Sequence, residues 1–266
     1  ALCGSPSHFG VDQHLQSDAE LMAAKKCHTE FALSGSSRKA MRALVFAIEV
    51  DLRSAESVRR SCAILAASNL LQCSRKGIGG GKRRFLRVHG AHLCTQAILT
   101  LTSMHMDNSA KPSACLLLTE VLEAAIVVAE KEDLFTVHTR DVTHMLSCLR
   151  LMQQQNSLRV FSLACKLLGA LLDHRQVQCR CLYPEFLELF LYLISTTPTA
   201  GESLALDVSK ALERFCKSPS STGAIRKYFG PLLNAFLDSS VYNAVLIRKA
   251  LMPGIFAVLR DCTEAD

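Results

Sequence analysis

Apolar residues recur at every third or fourth position along most of this chain, which is the spacing of one face of an α-helix. The pattern is clearest in three successive segments near the C-terminal end. The residues that share a face in these segments are Leu212, Phe215 and Cys216, then Leu232, Leu233, Phe236 and Leu237, then Leu246, Ile247 and Leu251. Val and Ile are scattered through such patterns and do not alternate with polar residues, so no strand is predicted.

The same spacing predicts helices through most of the remaining sequence. The first clear helix covers Arg38 to Leu52, and Ser36 or Ser37 is its expected N-cap. Ser54 is expected to cap the second helix. Further helices are expected at 85–105, 114–130, 133–155, 158–172, 184–195, 206–216, 225–237 and 243–262. Pro253 lies inside the last of these, so that helix is expected to kink or split there.

Helices of this length and spacing predict an all-α fold. About nine to eleven helices of roughly 12 to 20 residues follow one another about every 20 to 25 residues, which is the spacing of HEAT or armadillo helix pairs. We therefore predict an irregular α-solenoid of stacked helix pairs, with a compact helical bundle as the alternative. Residues 1–35 are predicted to be poorly ordered apart from a short helix. Residues 36–266 are predicted to form the helical-repeat domain, interrupted by a flexible, basic, Gly-rich loop at 75–84.

The composition supports an ordered protein with a substantial core. Hydrophobic residues make up 49% of the chain and charged residues 20%, whereas disordered chains are poor in apolar residues. Twelve cysteines are present, but disulfide frameworks belong mainly to small chains that lack a core. Six cysteines lie on apolar stripes and are predicted to be reduced, buried thiols: Cys62, Cys94, Cys115, Cys148, Cys165 and Cys216.

The most apolar run, 114–129, is not expected to cross a membrane. It carries Glu120 and Glu123, and spanning a bilayer takes about 20 consecutive apolar residues. We interpret these two carboxylates as solvent-exposed residues beside the apolar face of the helix rather than as a catalytic acid and base. No membrane partner is predicted.

Positive charge is concentrated around the Gly-rich segment, although the net charge of +6 is modest for the length of the chain. The basic residues that fall together there are Arg75, Lys76, Lys82, Arg83, Arg84 and Arg87. Such a cluster can contact nucleic-acid phosphates without reading sequence. No aromatic residues are interleaved to stack on bases. An RNA contact and a merely solvated loop both remain open interpretations.

The residue patterns that usually carry catalysis or metal binding are incomplete. In the phosphate-loop pattern around Gly81-Lys82, Lys76 takes the place of the first Gly and Arg83 that of the Ser or Thr. Cys179 and Cys181 are separated by one residue, whereas zinc knuckles need two to four. The pair His138 and His144, with Asp141 between them, is spaced to lie on different faces of a helix. We predict no enzyme activity, no cofactor, no metal and no small-molecule substrate.

One family resemblance is carried by the last helices. The segment Ala224-Ile-Arg-Lys-Tyr-Phe-Gly-Pro-Leu-Leu is followed by Ile247-Arg-Lys-Ala-Leu-Met-Pro-Gly-Ile-Phe-Ala-Val-Leu-Arg-Asp. The second segment contains a Leu-x-Pro-Gly-hydrophobic pattern that ends in Asp, with Leu251, Pro253, Gly254 and Asp261 as its defining residues. This resembles the end of the C-terminal domain of the nucleolar family called unhealthy ribosome biogenesis protein 2. The similarity is good from Leu206 onward and reaches back more weakly to Phe85.

The resemblance implies a non-catalytic helical-repeat scaffold in the nucleolus, needed for pre-ribosomal RNA processing in precursors of the large ribosomal subunit. Pre-ribosomal assembly proteins are then the expected partners, with pre-ribosomal RNA as a second partner through the basic cluster. A cytoplasmic adaptor or trafficking solenoid is the alternative, because the same helical pattern would serve it. A nucleotide-dependent enzyme is a third hypothesis that rests only on the incomplete phosphate loop.

Overall fold

The computed structural model describes residues 38–74, 80–107, 113–155, 157–218, 221–242 and 244–263. Within these ranges the chain is all-helical, without strands, and contains ten helices of 12 or more residues. They are α1 Arg38–Leu52, α2 Ser57–Cys73, α3 Gly80–Met106, α4 Ala114–Glu130, α5 Thr139–Arg150, α6 Leu158–His174, α7 Tyr183–Ala200, α8 Glu202–Cys216, α9 Thr222–Tyr242 and α10 Ala244–Thr263. The all-α prediction is confirmed.

The helices form two compact units, and the division falls between Val127 and Val128, within α4. The sequence pattern predicts a single helical domain over 36–266. That domain assignment stays a prediction, and the apolar run of α4 continues through this point without a break. In the N-terminal unit, α1, α2 and α3 pack against one another.

In the C-terminal unit, contacts join both neighbouring and alternate helices. α8 packs against α6, α7 and α10, and α9 packs against α7 and α10. Phe215 of α8 lies at the centre of an aromatic cluster supplied by α7. Its ring centroid is 5.0 Å from that of Tyr183, 5.8 Å from that of Phe190 and 6.2 Å from that of Phe186. The pairs with Tyr183 and Phe190 are edge-to-face, a geometry that adds to the free energy gained by burying the rings.

Several helices extend beyond the ends that the sequence predicts. α3 begins at Gly80, five residues before the expected start at Phe85, so 80–84 is helical and not part of a loop. α7 continues through Pro198 to Ala200 and ends at Gly201, which has a φ of +93°. Pro198 cannot donate to the carbonyl of Ile194. The Thr197 hydroxyl donates to that carbonyl at 2.7 Å instead, which helps the helix to tolerate the proline.

Other helices start later than the sequence predicts. α5 begins at Thr139 rather than near 133, and the carboxylate of Asp141 accepts the backbone N–H of His138 at 2.9 Å. This hydrogen bond satisfies one of the free donors at the start of the helix. Ser54 does not cap α2 directly: its Oγ accepts the N–H of Glu56 at 3.1 Å, one residue before the helix begins. The proposed caps Ser36 and Ser37 lie outside the described residues.

Burial of the predicted thiols is confirmed for four of the six and differs for two. Cys94, Cys148, Cys165 and Cys216 are buried, whereas Cys62 is half-buried and Cys115 is exposed. Cys115 lies in the first turn of α4, where an apolar neighbourhood in sequence does not guarantee a covering helix. Burial raises the pKa of Cys148 and of Cys216 to about 12. The thiolate is therefore disfavoured in the core, and these cysteines act as small apolar side chains.

Glu120 is not exposed to solvent, contrary to the sequence interpretation. Its side chain is buried, with 3% exposed, while Glu123 is half-buried. The side-chain amide of Gln72 in α2 donates to Glu120 Oε2 at 2.9 Å and to Glu120 O at 3.2 Å. A donor from a distant helix offsets the cost of burying this carboxyl group. None of the described helices is long and apolar enough to span a membrane.

Candidate functional site

The basic cluster is only partly within the described structure. Arg75 and Lys76 lie outside the described residues. Lys82 belongs to the first turn of α3, and nothing is described of its side chain. The three arginines whose side chains are described are all exposed: Arg83, Arg84 and Arg87. The part of the cluster that can be placed is therefore helical and reaches solvent.

The three arginines lie on adjacent turns of α3 and line a surface groove together with Val88. Arg83 and Arg87 are four residues apart, and Arg84 and Arg87 are three apart, so their side chains are neighbours on the helix surface. The groove has a volume of about 450 Å³. The first turn of α3 contains no acidic residue, although acidic side chains are favoured at the positive end of a helix dipole. An anion such as a phosphate group would be stabilised in this groove at the N-terminal end of α3.

The one aromatic residue within the arginine cluster is not available for stacking on a base. The sequence interpretation that no aromatic residue is interleaved was wrong, because Phe85 lies between Arg84 and Arg87; it is, however, buried, with 6% exposed. Its ring stacks on His89, with 4.5 Å between the ring centroids. The described part of the cluster therefore offers charge and hydrogen-bond donors, and the sequence-independent contact to phosphates is the chemistry that fits it.

The residues that carry the family resemblance lie on α10, which is a single helix. Leu251 and Gly254 are buried, Asp261 is half-buried and Pro253 is exposed. The helix runs through Pro253 without an end, so the expected split at this proline does not occur. Proline lacks an N–H and its ring crowds the carbonyl four residues earlier.

Gly254 and Leu251 are joined to α8 by the side chain of Ser209. Ser209 Oγ accepts the backbone N–H of Gly254 at 2.8 Å, and the hydroxyl lies 3.5 Å from the carbonyl oxygen of Leu251. Ser209 is buried, with 1% exposed. A buried hydroxyl that lost these partners would be costly, so the contact is specific to a polar side chain at 209. We call it the α8–α10 contact.

The same contact requires a glycine at position 254. A Cβ atom there would lie 2.8 Å from the backbone oxygen of Ser209, 2.9 Å from its Cα and 3.1 Å from Cβ of Leu212. Two of these are backbone atoms of α8, which cannot move aside as a flexible side chain can. The glycine of the Leu-x-Pro-Gly pattern therefore permits the close approach of two helices.

Arg175 is buried and caps the C-terminal end of α4, a role that no sequence pattern indicated. Arg175 Nε donates to the carbonyl of Ala129 at 3.0 Å, and its Nη2 donates to those of Val128 and Phe135 at 3.0 and 3.2 Å. The last four carbonyls of a helix lack helical partners and carry partial negative charge. Burial lowers the pKa of Arg175, and the carboxylate of Glu132 opposes that shift. Its role is structural, and no sequence signal links residue 175 to this helix end.

Two of the possible metal ligands near residue 180, Cys179 and His174, have separate partners. Cys179 is buried with its Sγ 3.6 Å from the carbonyl of Leu171, and Cys181 is exposed. His174 Nδ1 lies 3.3 Å from Glu132 Oε1. Burial raises the pKa of Cys179 to about 12, which disfavours the thiolate that zinc needs. In the described part of the chain, no group of three His, Cys, Asp or Glu side chains is placed to hold a metal ion.

Taken together, these features define an all-helical protein in which buried polar side chains such as Glu120 and Ser209 form hydrogen bonds between helices. Comparisons with protein-family models, with curated proteins and with solved structures find no match to this chain.

Proposed function

We propose that this protein is a non-catalytic scaffold of the nucleolus that takes part in assembly of the large ribosomal subunit and in processing of its RNA. The α8–α10 contact is the observation that carries the proposal. Two residues of the segment that resembles the nucleolar family, Leu251 and Gly254, take part in packing the last helix against α8. Their chemistry is that of helix packing, which is the property a scaffold depends on.

We propose further that the helices form an irregular α-solenoid of HEAT-like or armadillo-like pairs. In such arrays each helix packs on its neighbour and on the corresponding helix of the next pair. Contacts of α8 with α6 and α10, and of α7 with α9, follow that alternate pattern in the C-terminal unit. The neighbour contacts α7 to α8 and α9 to α10 supply the pairs.

Localisation and partners test the scaffold function. The full chain, carrying a fluorescent and affinity tag, is expected to enter the nucleolus and to copurify with large-subunit assembly proteins. The Gly254→Ala variant tests the motif, because it should lose both properties if the α8–α10 contact is needed for the scaffold. Copurification with membrane-coat or cytoskeletal proteins, without large-subunit assembly proteins, would instead support the cytoplasmic adaptor.

The exposed arginines of α3 are the proposed contact to pre-ribosomal RNA. Replacing Arg83, Arg84 and Arg87 by Ala should weaken RNA binding. It should also reduce the slope of log affinity against log salt by up to about 2, since each single-strand phosphate contact contributes about 0.7. Filter binding or fluorescence anisotropy across a salt series measures both.

A triple variant elsewhere controls for the loss of net charge. Lys210, Lys217 and Lys227 are exposed residues of the C-terminal unit, and their replacement by Ala removes the same three charges. This control should keep most of the salt slope. Equal loss in the two triple variants would mean that overall charge, and not the arginine cluster, attracts RNA.

A further inference from the structure

The outward side of α10 carries apolar residues that no other described helix covers. Val245, Lys249, Pro253, Phe256 and Arg260 are exposed and follow one another at intervals of three or four, so they share one face. We call them the outer stripe. Val245 is 65% exposed and Phe256 is 59% exposed. Beside them, Met252 and Leu259 are half-buried.

The opposite side of α10 is already used for packing. Ile247, Leu251, Ile255 and Val258 are buried on that side. A surface helix of a globular protein normally has one apolar stripe and a polar opposite face. α8 follows that rule after Leu206, because its next exposed positions are Lys210 and Arg214. α10 does not, which is typical of a helix that has a second surface to bury.

The charges along the outer stripe are positive. Lys249 and Arg260 belong to it, and Arg248 is exposed nearby. The acidic residue of α10, Asp261, is half-buried and lies about 140° around the helix from Phe256. A partner that covers the apolar side chains would therefore meet basic groups along the same strip and would be favoured by acidic groups of its own.

We propose that the outer stripe binds an amphipathic helix of a protein partner, with acidic residues beside its apolar face. This rests on the proposed scaffold function and names the chemistry of one of its partners. Val245 and Pro253 offer aliphatic surface, which packs against a helix but does not stack on bases, so a protein fits better than RNA. From Val245 to Arg260 the stripe is about 22 Å long, which matches a partner helix of four turns laid along it.

A designed peptide tests the surface. The probe is a fluorescein-labelled helical peptide of about 18 residues, with Leu at every third or fourth position and Glu beside the Leu positions. A second peptide keeps the Leu positions and carries Lys instead of Glu. Fluorescence anisotropy with the full chain should show binding of the Glu peptide and much weaker binding of the Lys peptide.

The matched pair Phe256→Ser and Phe46→Ser locates the binding. Phe46 of α1 is 68% exposed, so both variants remove one exposed phenyl ring. Phe256→Ser should weaken binding of the Glu peptide at least about tenfold, as loss of a central aromatic anchor does, whereas Phe46→Ser should leave it unchanged. Lys249→Glu should reduce the preference for the Glu peptide. Unchanged thermal unfolding of all three variants would exclude misfolding as the cause.

Three outcomes would overturn the proposal. The first is equal peptide affinity of the Phe256→Ser and Phe46→Ser variants. The second is dimerisation of the wild-type chain that Phe256→Ser abolishes, with no peptide bound, since a second copy would then cover the stripe. The third is binding of single-stranded RNA, and not of peptide, that depends on Phe256. Nucleolar entry of the wild-type chain is scored separately, so failure of this surface and failure of the scaffold function are distinguishable.

Discussion

Both sides of α10 carry apolar residues, but the surroundings of the two sides differ. Leu251 and Ile255 on the inner side are buried against neighbouring helices, whereas Val245 and Phe256 on the outer side are more than half exposed. Hydrophobicity alone does not separate Val245 and Phe256 from the buried residues, although the outer side also carries Lys249 and Arg260. The difference lies in what faces them, because the backbone of α8 and the hydroxyl of Ser209 meet the inner side only. The apolar residues of one helix therefore become core on one side and exposed surface on the other through its neighbours alone.

The comparison leads to a simple expectation for substitutions. Changes on the inner side should lower the free energy of unfolding, and changes on the outer side should lower affinity for a partner without affecting stability. Since the chain has no Trp, circular dichroism in a urea series is a suitable measure of unfolding.

The largest effect is expected for Leu251→Ala. Leu251 is fully buried, and truncating a buried leucine costs about 2 to 5 kcal/mol through lost transfer free energy and the cavity left behind. Val245→Ala, on the outer side of the same helix, should change the free energy of unfolding by less than about 0.5 kcal/mol. Equal destabilisation by the two variants would contradict the division of α10 into an inner and an outer side.

A smaller but more specific effect is expected for Gly254→Ala. The added methyl group would meet backbone atoms of Ser209 within 3 Å, and such overpacking costs about 2 kcal/mol. Gly223 of α9 is the control, because a Cβ atom there would meet nothing within 4 Å. Gly223→Ala should leave stability unchanged or raise it by up to about 1 kcal/mol, since Ala is the better helix former. A Gly254→Ala variant as stable as Gly223→Ala would disprove the close approach of α8 and α10.

The smallest of the three effects is expected for Ser209→Ala. Loss of the hydroxyl leaves the N–H of Gly254 without its partner on α8, at a cost of about 1 kcal/mol. Ser203→Ala, at an exposed position of the same helix, serves as the comparison and should be close to neutral. If urea midpoints of the two serine variants coincide, the Ser209 hydroxyl contributes nothing measurable to the α8–α10 contact.

Part of the candidate sites could be predicted from the sequence. The sequence places Arg83, Arg84 and Arg87 within five consecutive residues. Their exposure is expected from the cost of burying a charge. Leu251 and Gly254 stand out through the family resemblance, but Ser209 does not, since it is 42 residues from Leu251. A hydrogen bond between distant residues has no local pattern, so its second partner stays hidden until the helices are placed.

Local spacing of apolar residues by itself determined where most helices lie. The bounds of α1 and α4 were predicted to the residue, because periodicity is a property of a short segment and needs no knowledge of the rest of the chain. Only the tertiary structure decided that Glu120 is buried, that Arg175 caps the C-terminal end of α4 and that Phe256 faces solvent. Each of these depends on which distant helix lies opposite the residue, and the free energy of burial is set by that neighbour and not by the residue alone.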